Sequence, residues 1–223
     1  VRIGKYGPYI EAISDEEVAA LPDLQSATVL PWNQEVVWFA SDLYLAGQPF
    51  EACCRGILKR MLEKVASLGF TFNLGIETEF FVFREDEFQG FGPVSDRDTL
   101  AKPCYDLTGL LDNFDWLTEL VEAMNQLGWD VYSFDHEDAQ GQFETDFTYT
   151  DALTMSDRLT FFRLMTKEIA RQHGYFASFM PKPFANKTGS GAHYNMSLAD
   201  IQTGRNLLEA ADDPRGCHLS TLG

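Results

Sequence analysis

The stretch LGIETEFFVF, Leu74 to Phe83, decides how this chain folds and what it can hold. It reads as an apolar strand interrupted by two glutamates. Side chains two apart on a strand point to the same face, so Glu77 and Glu79 stand side by side. Two negative charges in an otherwise apolar strand are costly unless something positive lies between them. A divalent cation meets that need. A second stretch, FDHEDAQGQFETDF from Phe134 to Phe147, adds Glu137 and Glu144. Two carboxylate pairs in one chain point to a metal site that organises a phosphorylated substrate.

Alternation places Leu74, Ile76, Thr78, Phe80 and Val82 on the side expected to be buried. Gly75, Glu77, Glu79, Phe81 and Phe83 share the other side. An ordinary solvated strand face stays open as a reading, although Phe81 and Phe83 argue against full solvation. Glu137 and Glu144 lie seven apart across a Gly-containing turn that can fold two strands so that both carboxylates converge. A plain polar hairpin tip also stays open, and His136, Asp138 and Asp146 are alternative ligands. Hard oxygen donors suit magnesium or manganese, whereas zinc prefers more His and Cys.

Working outward, a third cluster is NKTGSGAHYNMSL, from Asn186 to Leu198. Its glycines let the backbone approach a ligand closely. His193, Asn195 and Ser197 then share one face of the following strand, and Ala192, Tyr194, Met196 and Leu198 form an apolar opposite face. A Gly-Ser-Gly run is by itself more often a turn than a phosphate loop. No Lys-Ser or Lys-Thr follows the glycines, so this is not a Walker loop.

The rest of the chain bounds the answer. With 223 residues, 45% of them hydrophobic and 18 of them Phe, the chain can build one large core or a core plus a smaller piece. The 34 acidic against 17 basic residues give a net charge of −17, which argues against a nucleic-acid partner because a phosphate backbone demands a basic face. Cys53, Cys54, Cys104 and Cys217 form no CxxC pair, which favours a reducing cytoplasm over a zinc site. No long apolar span or signal-peptide pattern appears, so no membrane association is expected.

Two strands are expected in SATVLPW and EVVWFASDLYL around a turn at Pro31 to Gln34, then a helix from Pro49 to about Leu68. Residues 86–110 read as loop. Helices capped by Asn113 or Asp115 and by Thr150 or Asp151 follow, ending near Gln126 and His173. Strands are expected at Trp129 to His136, Gln142 to Tyr149, Phe176 to Met180 and Ala192 to Leu198. Hairpins mixed with helical crossovers favour an α+β fold with a mainly antiparallel sheet over a doubly wound parallel one.

GIETEFFVF, HEDAQGQFE, MPKPF and GSGAHYNMSL, in this order and separation, resemble the glutamine synthetase family. PWNQEVVWFASD and GQPFEACCRGILKR extend the resemblance upstream, with Cys54 where the family usually has Pro, so it covers roughly residues 28–200. YDLTGLLDNFDWL and DHEDAQGQFE look most like the branch that includes γ-glutamylmethylamide synthetase. The implied fold is a curved, mainly antiparallel sheet with flanking helices. Residues 1–45 would close a small β-grasp-like N-terminal domain, and 46–223 would begin the catalytic domain.

The resemblance implies an ATP-dependent ligase that joins ammonia or a small amine to the γ-carboxylate of L-glutamate through a γ-glutamyl phosphate. It implies Mg²⁺ or Mn²⁺, with Glu79, Glu137 and Glu144 on one ion and Glu77 with His193 on a second. His193 and Glu79 would also lie beside the substrates, Gly189 would contact glutamate, and Asn195 and Ser197 would lie near the nucleotide. Glu137 is the catalytic base candidate, and Tyr132 stands where some relatives carry a nucleotide-contacting Glu. Substrate-binding arginines, a flap glutamate and a last metal ligand are expected beyond this stretch, so the 223 residues alone are expected to be inactive. A ring-shaped homo-oligomer in the cytoplasm is implied. The alternatives are a family member retained as a structural or regulatory assembly, and a carboxylate-bound metallohydrolase.

Overall fold

A computed structural model describes residues 2–4, 7–9, 18–86 and 90–222. Its elements run β1 (Arg2–Gly4), β2 (Gly7–Tyr9), β3 (Val18–Pro22), β4 (Thr28–Leu30), β5 (Asn33–Trp38), β6 (Ser41–Leu45), β7 (Gln48–Pro49) and α1 (Cys54–Ser67). They continue with β8 (Phe70–Asp86), β9 (Gly90–Pro93), α2 (Leu107–Leu111), α3 (Phe114–Gln126), β10 (Val131–His136) and β11 (Gln142–Phe147). The last are β12 (Thr150–Asp151), α4 (Ala152–Gln172), β13 (Phe176–Ser178) and β14 (Ala192–Asp200). The α+β class with an antiparallel sheet is the observed one. No helix among the described residues is long and apolar enough to cross a membrane.

The chain divides into two compact units, Val1–Asn73 with Asp151–Asp157 and Ser197–Gly223, and Leu74–Thr150 with Arg158–Met196. In the first unit, β3, β6 and β7 form one small antiparallel sheet, and β4 pairs with β5 in another. EVVWFASDLYL is therefore two strands in two sheets, broken at Phe39 and Ala40, where one was expected. The expected helix start at Pro49 is also corrected. Pro49 pairs with Tyr44 across β6, and the first helical hydrogen bond runs from Ile57 N–H to the Cys53 carbonyl at 2.8 Å. The Arg55 guanidinium ties this unit together by donating to Asp42 at 2.8 Å, Asp23 at 2.8 Å and Asp157 at 3.0 Å.

In the second unit the strand order β10–β11–β8 is antiparallel, with Glu144 opposite Glu79 and Asp135 opposite Glu144. β9, β13 and β14 also pair with β8. Phe80 and Phe143 are fully buried on one sheet face, where α3 supplies Trp116, Leu117, Leu120 and Met124 and α4 supplies Phe161, Phe162 and Met165. Phe80 meets Trp116 and Phe162 edge-on, at centroid distances of 6.3 and 5.8 Å. Such pairs add to the burial of large apolar area.

The opposite face of β8 is split. Phe81 and Phe83 are buried against Ala139 and Phe184, while Glu77 and Glu79 are half-buried further along. An apolar plug thus adjoins the carboxylates. Residues 86–110 are not all loop, since β9 and all but the last residue of α2 fall within them. β14 differs from expectation on its apolar side: Tyr194 and Met196 are 52% and 59% exposed.

Candidate functional site

One face of three adjacent strands carries a row of acids. Alternation puts Glu77 and Glu79 of β8, Glu144 and Asp146 of β11, and Asp135 of β10 on this face, because the opposite residues Phe80, Phe143 and His136 turn into the core. Glu137 follows directly at the end of β10, its N–H donating to the Gln142 carbonyl at 2.8 Å. Crowding shows in the titration of these groups. Burial first, then the charges of Asp146, Glu137, Glu79 and Glu77, push Glu144 up to about 7. Burial, then Glu77 and Asp135, raise Asp146 to about 6. Glu137 is raised by burial and by Glu79.

Each side chain of the row has a distinct setting. Glu77 is held by β14, with His193 Nδ1 at 3.1 Å from one oxygen and Asn195 Nδ2 donating to the other at 2.8 Å. Glu79 accepts from Gln142 Nε2 at 2.7 Å, and its backbone N–H donates to the Gly191 carbonyl at 3.2 Å. Gly189 belongs to the loop after β13, where Ser190 N–H donates to the Pro181 carbonyl at 2.8 Å. Ser197 is half-buried further along β14 and falls in the first unit. Glu77, Glu79, Glu144 and His193 are thus carried on adjacent strands of one sheet.

Two alternative ligands leave the site. His136 is buried, with Nε2 2.9 Å from Asp98 and Nδ1 2.9 Å from the Glu137 carbonyl. Both partners are acceptors, so both ring nitrogens donate. Burial opposes the charged ring, but Asp98 and the carbonyl outweigh it and hold His136 above the usual histidine range. Asp98 also accepts from Gly141 N–H at 2.7 Å and so fixes the hairpin tip. Asp138 accepts from Lys102 at 3.0 Å and Thr188 at 2.9 Å. The nearby cavity of about 280 Å³, lined by Lys102, Asp138, Gln140, Lys187 and Thr188 among others, contains none of the row's glutamates.

No group of three or more His, Cys, Asp or Glu side chains among the described residues is arranged as it stands to hold a metal ion. The donor set nevertheless fits a hard divalent ion. It offers carboxylate oxygens and one imidazole, and the burial and neighbouring charges that raise Glu144 to about 7 and Asp146 to about 6 are a cost that a cation relieves. Ligation requires the Glu77–His193 contact to open, whereas Glu79 can ligate through Oε1 while Oε2 keeps the Gln142 amide. The sequence reading missed Asp135 and Gln142. Counting back by twos from Glu144 reaches Gln142, and counting back from Glu137 reaches Asp135, so alternation was the available signal.

With this geometry in place, likeness to known proteins becomes informative. A family model described as glutamine synthetase, catalytic domain, matches residues 51–223. A glutamate–methylamine ligase of Methyloversatilis universalis is 42% identical over 208 residues, covering 93% of this chain and 46% of that protein. A glutamine synthetase of Rhizobium leguminosarum bv. phaseoli is 40% identical over 208 residues, covering 93% of this chain and 46% of its own length. A solved structure of a GmaS/ADP complex superposes with a TM-score of 0.85 at 40% identity, covering 94% of this chain and 47% of that one. The chain spans about half the length of the curated relatives it matches. It belongs to the glutamine synthetase family, whose catalytic-domain model it matches over residues 51–223.

Proposed function

We propose that this chain is part of an ATP-dependent carbon–nitrogen ligase that joins ammonia or a small amine such as methylamine to the γ-carboxylate of L-glutamate. The observation that carries this reading is the row of Glu77, Glu79, Glu144 and Asp146 on adjacent strands, faced by His193 from β14. The family is ATP-dependent and generally uses divalent metal ions. Glu77 with His193 would hold one Mg²⁺ or Mn²⁺, and Glu79, Glu137 and Glu144 another. When bound, such ions balance the charge of the polyphosphate and of phosphoryl transfer.

The reaction has two steps. A γ-carboxylate oxygen of glutamate attacks the terminal phosphorus of ATP, ADP leaves, and an acyl phosphate forms. The amine nitrogen then attacks the acyl carbon, the C–O bond to phosphate breaks, and the amine loses a proton. Glu137 is the group proposed to take that proton. It is half-buried and its pKa is raised by burial and by Glu79, which brings it toward the range a general base needs. The acidic row also favours cationic amines over anions. Gly189 would contact glutamate, Asn195 and Ser197 would lie near the nucleotide, and the enzyme would work as a homo-oligomer in the cytoplasm. Residues 1–45 would belong to a small N-terminal domain and 46–223 to the catalytic domain.

ADP release by the full-length protein carrying this chain tests the proposal. Release that depends on both glutamate and either ammonia or methylamine is expected, and the better acceptor names the amine. ATP hydrolysis indifferent to glutamate and amine would overturn it in favour of a hydrolase. Metal binding without ADP release would favour a structural role.

A further inference from the structure

Among the described residues, Gln142 is the fully buried polar side chain that touches both the acidic row and the glycine loop. It is 0% exposed. Its Nε2 lies 2.7 Å from Glu79 Oε2, 3.1 Å from the Gly189 carbonyl and 3.4 Å from Ser190 Oγ. The orientation of the amide is therefore determined, because a flip would set its oxygen against a carboxylate and a carbonyl. The other oxygen lies close to Gly191, where an added methyl would stand 2.8 Å from Glu79 Oε1. Glu79 thus has the Gln142 amide on one oxygen and room for the other only because residue 191 has no side chain. The loop is anchored by the same amide through Gly189, and by Ser190 N–H on the Pro181 carbonyl.

We propose that Gln142 is a positioning residue that sets the direction of the Glu79 carboxylate and the height of the Gly189 loop together. A plain framework glutamine needs only some partners for its amide. Gln142 instead leaves its own Oε1 buried without a hydrogen bond while the two N–H groups of its amide point to Glu79 and the Gly189 carbonyl, with Ser190 Oγ further off at 3.4 Å. A buried carbonyl oxygen left unpaired is destabilising, and this arrangement accepts it while the amide holds two functional parts in register. Groups that orient a ligand of a metal site alter its affinity about 10- to 100-fold when removed.

The inference rests on the ligase reading for its substrate but can be tested apart from it. Full-length protein with Gln142→Met and Gln142→Glu is compared with the wild type. Calorimetry reads Mn²⁺ affinity, steady-state kinetics separate KM for glutamate from kcat, and thermal melts report the fold. Gln142→Met keeps the volume but removes the donor, so Mn²⁺ affinity is expected to fall about tenfold or more and KM for glutamate to rise by a similar factor. Gln142→Glu places an acceptor against Glu79 and Gly189, so KM is expected to rise while the melt stays cooperative. Unchanged Mn²⁺ affinity and KM in a folded Gln142→Met would overturn the proposal. So would failure of both variants to fold, which would make Gln142 a framework residue. If the wild type shows no glutamate-dependent ADP release, the ligase reading fails, yet the Mn²⁺ titration still decides whether Gln142 orients Glu79.

Discussion

At Glu79 a carboxylate is held by contacts that a sequence lists only as separate letters. Its neighbours Gly189 and Gly191 illustrate two different reasons for having no side chain. Neither has a left-handed φ, so backbone strain is not the issue. A methyl at Gly191 would meet Glu79 Oε1 at 2.8 Å, which is the movable end of a side chain. A methyl at Gly189 would meet the Pro181 carbonyl oxygen at 2.8 Å, which is backbone. Gly191→Ala is therefore expected to change stability by less than about 1 kcal/mol while re-aiming Glu79. Gly189→Ala must shift the loop and is expected to cost about 1–3 kcal/mol. Thermal melts with a parallel Mn²⁺ titration check both, and equal stability losses would show the distinction to be false. The glutamates themselves were legible in the sequence because charge in an apolar strand stands out. Gln142 was not, because a neutral polar residue does not stand out in this way, and alternation gives its face but not its partners.

At the scale of elements, periodicity placed β8, α3, β11 and α4 within a few residues and failed where local chemistry was ambiguous. Asp151 caps α4, accepting from Thr154 N–H at 3.0 Å, as its position suggests. Pro49 looked like a helix start but serves as a strand residue beside Tyr44. The true first turn begins at Cys54, after Cys53 with ψ of 115°. An extended residue is what a following proline requires, and the first helical position has no N–H partner to lose. Cys54 is exposed, so Cys54→Pro is expected to stabilise the protein by about 0.4–1 kcal/mol through the unfolded chain. A melting temperature below that of the wild type would refute this. β14 was readable as a strand, but its exposed Tyr194 and Met196 were not, since alternation says which residues share a side and not what covers it.

At the scale of the molecule, a chain with 34 acidic and 17 basic residues must place its few cations well. Arg55 draws Asp23, Asp42 and Asp157 onto one guanidinium whose side chain is 12% exposed. Its hydrogen bond is the main reason Asp23 is lowered below the ordinary aspartate value. Burial acts against Asp42, but Lys59 and Arg55 together lower it too. A lowered carboxylate stabilises the fold above its unfolded pKa, and that stability is lost as pH falls through the folded value. The contribution is therefore present above about pH 4 and disappears below it. Arg55→Met takes this cation from Asp23 and Asp157 and leaves Asp42 with Lys59 alone, and is expected to cost about 3 kcal/mol at neutral pH. The loss should shrink on acidification, and a loss independent of pH between 3 and 7 would contradict the assignment to these pairs. By itself the sequence determined the α+β class, the acidic strands and the family, because strand alternation and motif order are local properties of the chain. Only the tertiary structure decided that His136 turns away to Asp98, that Asp135 and Asp146 join the row, and that Gln142 reaches Glu79. Those facts depend on strand register and on which face the helices cover, and both are fixed by packing between segments far apart in the chain.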